Sequence, residues 1–372
     1  MSDYLPFTRP AIDDETIADV AAVLRSGQLA SGPKVLEFEA ALAAYVGGGR
    51  TVRSLTSATE GLEIALIACG VGAGDEVIVP AMSFAASANV VVRLGAKPVF
   101  VDVELASRNL DVTRVAEAIG PRTKAIMPVH FSGLAVDLDA LAALAAPRGL
   151  RIVEDAAHAI GTRHRGRPIG SFGDVAVFSF HPNKNMTTIE GGAIATTDAR
   201  ALELIERHRF HGIRRNADGE IDVVLAGAKS NLSDVAAQVG IHQLRRLDGF
   251  NARRRALAGL YFEALGGFDE VVLPARGDDG HSWHMFTVLI DFARRGRTRP
   301  EFQRAMAGRG IGIGVHYPCI PGLSLYRELG YRAEDFPNAA RIGRETVTLP
   351  LFPAMRDEDV ERVVAALRAE LT

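Results

Sequence analysis

Short apolar runs alternate with helical periodicities along most of the chain, and nothing else in the sequence restricts the fold as much. Apolar runs fall at 76–80, 98–102, 124–129, 151–154 and 175–178. Between them, apolar residues recur at helical spacing over 12–25, 35–45, 85–94, 112–119 and 137–146, and a capped helix begins near Ser57. Uniformly apolar strands are buried on both faces, which predicts an α/β fold with a mainly parallel sheet covered by helices. Ligands in such sheets sit beyond the carboxyl ends of the strands. A long helical pattern then runs from Asn231 to about Leu265 and leads into a different arrangement. Strands at 285–290 and 314–316, with helices at 300–307 and 357–371, predict a smaller C-terminal α+β unit. The expected boundary is near Arg245, giving a large unit 1–245 and a small one 246–372.

Composition narrows the function classes. A net charge of -3 over 372 residues gives no reason to expect nucleic acid or an anionic membrane as partner. No window holds the apolar run that a membrane span needs. The N-terminus Met1-Ser2-Asp3-Tyr4-Leu5-Pro6 lacks the basic and apolar regions of a signal peptide. Cys69 and Cys319 are too few for a disulfide framework. The expectation is a cytoplasmic globular enzyme.

One lysine stands out. Of 42 lysines and arginines only five are lysine: Lys34, Lys97, Lys124, Lys184 and Lys229. Lys184 lies in the polar loop His181-Pro182-Asn183-Lys184-Asn185, directly after the apolar run ending at Phe178 and before Gly191-Gly192. An amine can lose its proton and form a Schiff base, whereas a guanidinium stays charged. Upstream, Asp155 closes another apolar strand in Glu154-Asp155-Ala156-Ala157-His158. A lysine for a Schiff base and an aspartate for a pyridinium nitrogen are what a protein supplies to pyridoxal phosphate chemistry. Lys184 and Asp155 are therefore the expected catalytic residues.

Other residues complete a candidate site. Ser57, Ala58 and Thr59 open a helix whose free amides and hydroxyls suit a phosphate. Ser57 and Glu60 also have capping-box spacing, and both roles can hold together. Ser179 is a second candidate phosphate contact. Phe84 can stack on the cofactor ring, and His158 can pack against it or bond its hydroxyl. Gly70-Val71-Gly72-Ala73-Gly74 precedes a strand instead of following one, which excludes a dinucleotide loop. His208 and His211 have no accompanying ligand set, so no metal site is expected. Arg253-Arg254-Arg255 reads as a solvated helix face.

With these residues in place, the chain resembles the sugar aminotransferases of the DegT/DnrJ/StrS family. The resemblance rests on 27–32, 56–61, 74–78, 154–158, 179–192, Asn231-Leu232-Ser233-Asp234, His316-Tyr317-Pro318 and 349–353. It implies an aspartate-aminotransferase-like fold of the first pyridoxal phosphate type. It implies that Lys184 bears the cofactor and that His316 and Tyr317 meet substrate. It implies a homodimer with shared active sites, in which Asn231 reaches the neighbouring subunit's cofactor phosphate. Some family members carry histidine in place of the lysine and act as sugar dehydratases, so lysine favours transamination. The implied donor is glutamate and the implied acceptor a nucleotide-linked keto-sugar. Residues 4–10 and 154–158 are similar to members that aminate UDP-4-keto-arabinose for lipopolysaccharide. Phe84, Ser230 and 318–322 depart from that subgroup. An amino-acid aminotransferase, a sugar dehydratase and a non-catalytic regulatory relative are the alternatives.

Overall fold

A computed structural model describes residues 4–372. Its strands are β1 (Thr51–Leu55), β2 (Glu76–Pro80), β3 (Lys97–Val101), β4 (Thr123–Ile126) and β5 (Arg151–Asp155), then the two-residue β6 (Arg163–His164) and β7 (Arg167–Pro168). They continue as β8 (Val175–Ser179), β9 (Gly192–Thr196), β10 (Ile213–Arg215), β11 (Ile221–Val223), β12 (Phe286–Leu289) and β13 (Thr346–Leu349). Seven of these form the central sheet, in the order β1-β9-β8-β5-β4-β2-β3. All neighbours pair in parallel except β9, which is antiparallel to both β1 and β8.

The strands are buried on both faces because successive side chains point to opposite sides of the sheet. Val77, Val79, Val153, Val175 and Val177 enter one apolar core, while Ile78, Ile126, Ile152, Ala176 and Phe178 enter another. Helices such as Ala58–Ala68 and Ala86–Arg93 cover the first core, and Pro33–Val46 and Leu138–Ala145 the second. A third core gathers the C-terminal elements around the antiparallel pair β12–β13. The long helix Asp234–Leu265 serves two of these cores. Ala237, Ile241, Leu244 and Leu247 pack under the sheet, and Leu257, Tyr261, Phe262 and Leu265 pack in the C-terminal core. The expected boundary at residue 245 falls inside this helix.

Two sequence expectations need correction. The strand expected at 314–316 is only an isolated bridge from Gly314 to Thr348. Arg254 does not belong to a solvated face: it is buried, and its Nη1 donates to the carbonyls of His284 at 3.1 Å and Leu351 at 2.8 Å. Arg253 and Arg255 flank it and reach the Met355 and His281 carbonyls. Among the described residues, no helix is long and apolar enough to cross a membrane.

Candidate active site

The carboxyl ends of β1, β2, β5 and β8 open on one edge of the sheet. Ser57 follows β1, Phe84 follows β2, Asp155 ends β5 and Ser179 ends β8. A cavity of about 350 Å³ lies there, lined by Ser57, Ala58, Thr59, Phe84, Asp155, His158, Ser179, Lys184, His316 and Tyr317. These are ten of the eleven residues singled out in the sequence. Asn231 does not line it: its side chain bonds Ser31 Oγ and accepts from Lys229 Nζ.

Lys184 is held by the loop 180–191, which turns β8 back into β9. Phe180 N–H donates to the Gly191 carbonyl at 2.9 Å and Thr188 N–H to the Phe180 carbonyl at 3.0 Å. The Thr187 hydroxyl donates to the same carbonyl at 2.9 Å. Lys184 itself sits in a tight turn, its N–H bonded to the His181 carbonyl at 2.8 Å. Burial disfavours its ammonium and lowers its pKa to about 8, against the opposing charge of Asp155. Near neutral pH a usable fraction of the amine is therefore unprotonated.

Asp155 is buried at the cavity floor. Its Oδ2 accepts from the Ser87 hydroxyl at 2.7 Å and its Oδ1 from the Ala157 N–H at 3.1 Å. No helix starts at this position, so the residue is not a helix cap. Burial raises its pKa, partly offset by Ser87, Ala157 and Lys184. A buried carboxylate with no tight ion pair is suited to a cationic ligand group.

Three histidines surround the lysine in neutral form. Burial first holds His158 and His284 well below 6.5; Lys184 and then His316 add to it at His158, and His158, Lys184, Arg254 and His316 add to it at His284, while burial and then Lys184 lower His316 to about 4. His158 Nδ1 accepts the Ser132 N–H at 3.3 Å, which leaves the ring proton on Nε2, 3.4 Å from the Tyr317 hydroxyl. His316 Nδ1 lies 2.7 Å from Thr348 Oγ1. Phe84 is 57% exposed, far from a core position, and its ring lies 5.6 Å from that of Tyr317. It is thus available to a ligand in the cavity.

The histidines give the fold a pH limit. His281 and His316 titrate near 4 when folded, whereas an unfolded histidine titrates near 6.5. Between these values the unfolded chain binds more protons, so stability is intact above pH 6.5 and declines as pH falls toward 4. Each of the two contributes roughly 3 kcal/mol to that decline, and the raised carboxyl of Asp155 opposes it. Urea midpoints that stay constant from pH 7 to 4.5 would contradict this charge assignment.

The helix Ala58–Ala68 points its N-terminus into the same cavity. Ser57 Oγ caps it by accepting the Glu60 N–H at 3.1 Å, the serine half of the expected capping box. The Ser57 hydroxyl proton remains available, and the first-turn amides of Ala58 and Thr59 have no intrahelical acceptor. Gly192 lets this helix start approach the sheet. A Cβ there would stand 2.6 Å from Ala58 N, 2.7 Å from Ser57 C and 2.9 Å from the Phe178 carbonyl oxygen.

Sequence reasoning missed several lining residues, among them Ser83, Val129, Asn183 and Glu190. Glu190 had a local signal, since it directly precedes Gly191-Gly192. Ser87, the donor to Asp155, had none: it lies on a helix 68 positions away in sequence.

The profile of the DegT/DnrJ/EryC1/StrS aminotransferase family matches residues 10–368. The chain belongs to this family. The spore coat polysaccharide biosynthesis protein SpsC of Bacillus subtilis is 39% identical, covering 98% of this chain and 96% of that protein. A putative sugar aminotransferase from Streptococcus pneumoniae, Spr1654, solved in its PLP form, superposes with a TM-score of 0.91 at 31% identity, covering 99% of this chain and 100% of that one. The same protein has been solved in a PMP form. DesV of S. venezuelae, solved in complex with a ketimine intermediate, is 36% identical with a TM-score of 0.89, covering 98% of each chain. The fold is that of the pyridoxal-phosphate-dependent sugar aminotransferases, and the chain is a PLP-dependent enzyme of this kind.

The site's own residues fit that cofactor. An amine held near pKa 8, a buried carboxylate and a helix N-terminus face one cavity, and the missing Cβ of Gly192 leaves the helix start where it is. Gly192→Ala sets its methyl against backbone on three sides. It is expected to cost about 1–3 kcal/mol of stability and to weaken cofactor binding. Wild-type melting together with wild-type affinity for pyridoxal phosphate would count against the cradle.

Proposed function

We propose that this enzyme transfers an amino group from glutamate to a nucleotide-linked keto-sugar, with the carbonyl at carbon 4. The observation that carries the reading is the meeting of Lys184 and Asp155 in one cavity, the first held partly unprotonated and the second held buried. Pyridoxal phosphate bound there would supply an electron sink for the carbon that loses its proton and an aldehyde carbon able to hold the amino group between donor and acceptor. Lys184 would hold the cofactor through its amine, and as a free amine would move a proton at the substrate carbon that bears nitrogen. Asp155 accepts the hydrogen bond of the ring nitrogen and keeps it charged. The Ser57 and Ser179 hydroxyls and the Ala58 and Thr59 amides hold the phosphate. Phe84 and His158 contact the ring, and His316 and Tyr317 orient the substrate.

The enzyme works as a cytoplasmic homodimer in this reading, with Asn231 contributed to the neighbour's phosphate site. The chain divides near residue 245 into cofactor-binding and small C-terminal units. The likeness to a spore coat polysaccharide protein supports a sugar destined for a surface polysaccharide. UDP-4-keto-arabinose, a lipopolysaccharide precursor, is the first acceptor to assay.

The visible spectrum of the holoenzyme tests this. Glutamate is expected to remove the cofactor's visible band, and a nucleotide 4-keto-sugar to restore it while an amino-sugar appears. A band restored only by 2-keto acids would make the enzyme an amino-acid aminotransferase. A deoxygenated sugar product would make it a dehydratase.

A further inference from the structure

The loop that carries Lys184 is fastened through the next residue. Asn185 is buried, and its amide finds three partners, all from residues 251–284. Nδ2 donates to Asn251 Oδ1 at 2.7 Å and to the Ser282 carbonyl at 2.9 Å. Oδ1 lies 3.1 Å from His284 Nδ1. Two acceptors on one side fix which amide atom is nitrogen, and an amide oxygen only accepts, so His284 carries its proton on Nδ1.

His284 has a second contact. Its ring lies 4.5 Å from that of His158, tilted by 35°, and His158 lines the cavity. Its backbone is set by an N–H bond to the Ser132 carbonyl at 2.8 Å. Its Nε2 is buried without a protein partner, so the ring is held by the Asn185 bond on one side and by packing on the other. Neither Asn185 nor His284 lines the cavity. One imidazole from the C-terminal part thus touches both the lysine loop and the cavity wall.

We infer that Asn185 and His284 are a positioning pair that fixes Lys184 in the cavity by tying its loop to the C-terminal part of the chain. Asn185 is covalently next to Lys184, so movement of its amide moves the lysine backbone. A misplacement of about 1 Å at a reacting group costs on the order of a hundredfold in rate. A loosened loop also admits water to an amine that burial now keeps easy to deprotonate. The inference rests on Lys184 being the cofactor-bearing lysine.

Two polar variants of one residue test it. His284→Asn keeps an N–H donor near the Nδ1 position, while His284→Gln moves the donor toward the Nε2 position. In the apoprotein, acetic anhydride labelling of Lys184 across pH, read by peptide mass spectrometry, reports the amine directly. The titratable groups that line the cavity with that amine are Asp155, His158, His181, Glu190, His316 and Tyr317, with His284 behind His158; His158, His284 and His316 stay neutral over the range scanned.

His284→Asn is expected to keep half-maximal reactivity near pH 8, as in the wild type. His284→Gln is expected to shift it upward, with kcat falling on the order of tenfold to a hundredfold and KM changing far less. Matching labelling profiles and kcat in the two variants overturn the inference, whatever their melting temperatures. Borohydride reduction of the wild-type holoenzyme, followed by peptide mapping, tests the underlying assignment separately. A cofactor adduct on another lysine would sink the functional reading, and the labelling comparison would stand on its own.

Discussion

Lys184→Ala is expected to lower turnover by at least about 10⁴-fold, because one side chain supplies both the covalent anchor and the mobile proton. The fold should survive. Lys184 lies in a loop closed by backbone bonds at Phe180, Thr188 and Gly191 and by the side chain of Thr187, none of which uses the lysine side chain. Removing an amine that burial disfavours also removes a desolvation cost. The variant should still take up pyridoxal phosphate through the helix start at Ser57, but without the absorption of the lysine-bound form. The decisive measurement is single-turnover consumption of glutamate by the loaded variant. Near-normal turnover would end the assignment of Lys184.

Asp155→Asn is the second large effect. The substitution keeps the shape and an acceptor for the Ser87 hydroxyl or the Ala157 N–H, but it discards the charge. A buried charge aimed at a reacting group is commonly worth on the order of 10²–10³ in rate. Turnover should fall by that range while the protein gains stability near neutral pH, since burial already works against the Asp155 carboxylate. A stable variant with an unchanged rate would strip Asp155 of its role. A variant that merely unfolds would point to the Ser87 and Ala157 bonds as the residue's main contribution. Asp155→Ala, which removes both acceptors, separates the two effects.

The sheet was legible where its strands are uniformly apolar. β2, β5 and β8 stand out because nothing but burial on both faces explains Glu76-Val77-Ile78-Val79 or Val175-Ala176-Val177-Phe178. β1 and β9 were not legible. β1 reads Thr51-Val52-Arg53-Ser54-Leu55, and as an edge strand it can turn Arg53 outward to Glu206 at 2.9 Å. β9 is built from Gly192, Ala193 and Ala195 around Ile194, residues mostly depleted in strands, and only its pairing on both sides makes it one. The site divides in the same way. Lys184, Asp155 and Ser57 carry their chemistry at strand ends, where local pattern places them. Ser87, Asn185 and His284 act through contacts that join distant parts of the chain, and no local pattern encodes these. Arg254 was misread for the same reason, since its partners lie 30 and 97 positions away.

The reversed direction of β9 also sets an order of events at synthesis. β1 finds its partner only when residues 192–196 exist, although it is among the earliest strands to leave the ribosome. Until then the start of the helix Ala58–Ala68 has no Gly192 against which to rest. The anchor of the lysine loop comes later still, with Asn251, Ser282 and His284. Pairings this distant in sequence form slowly, after their loop-closure entropy has been met. A nascent chain of two hundred residues therefore carries every strand of the central sheet but lacks the partners of Asn185 and, at the cavity wall, His316 and Tyr317, so the cavity is completed only by the last part of the chain to be made.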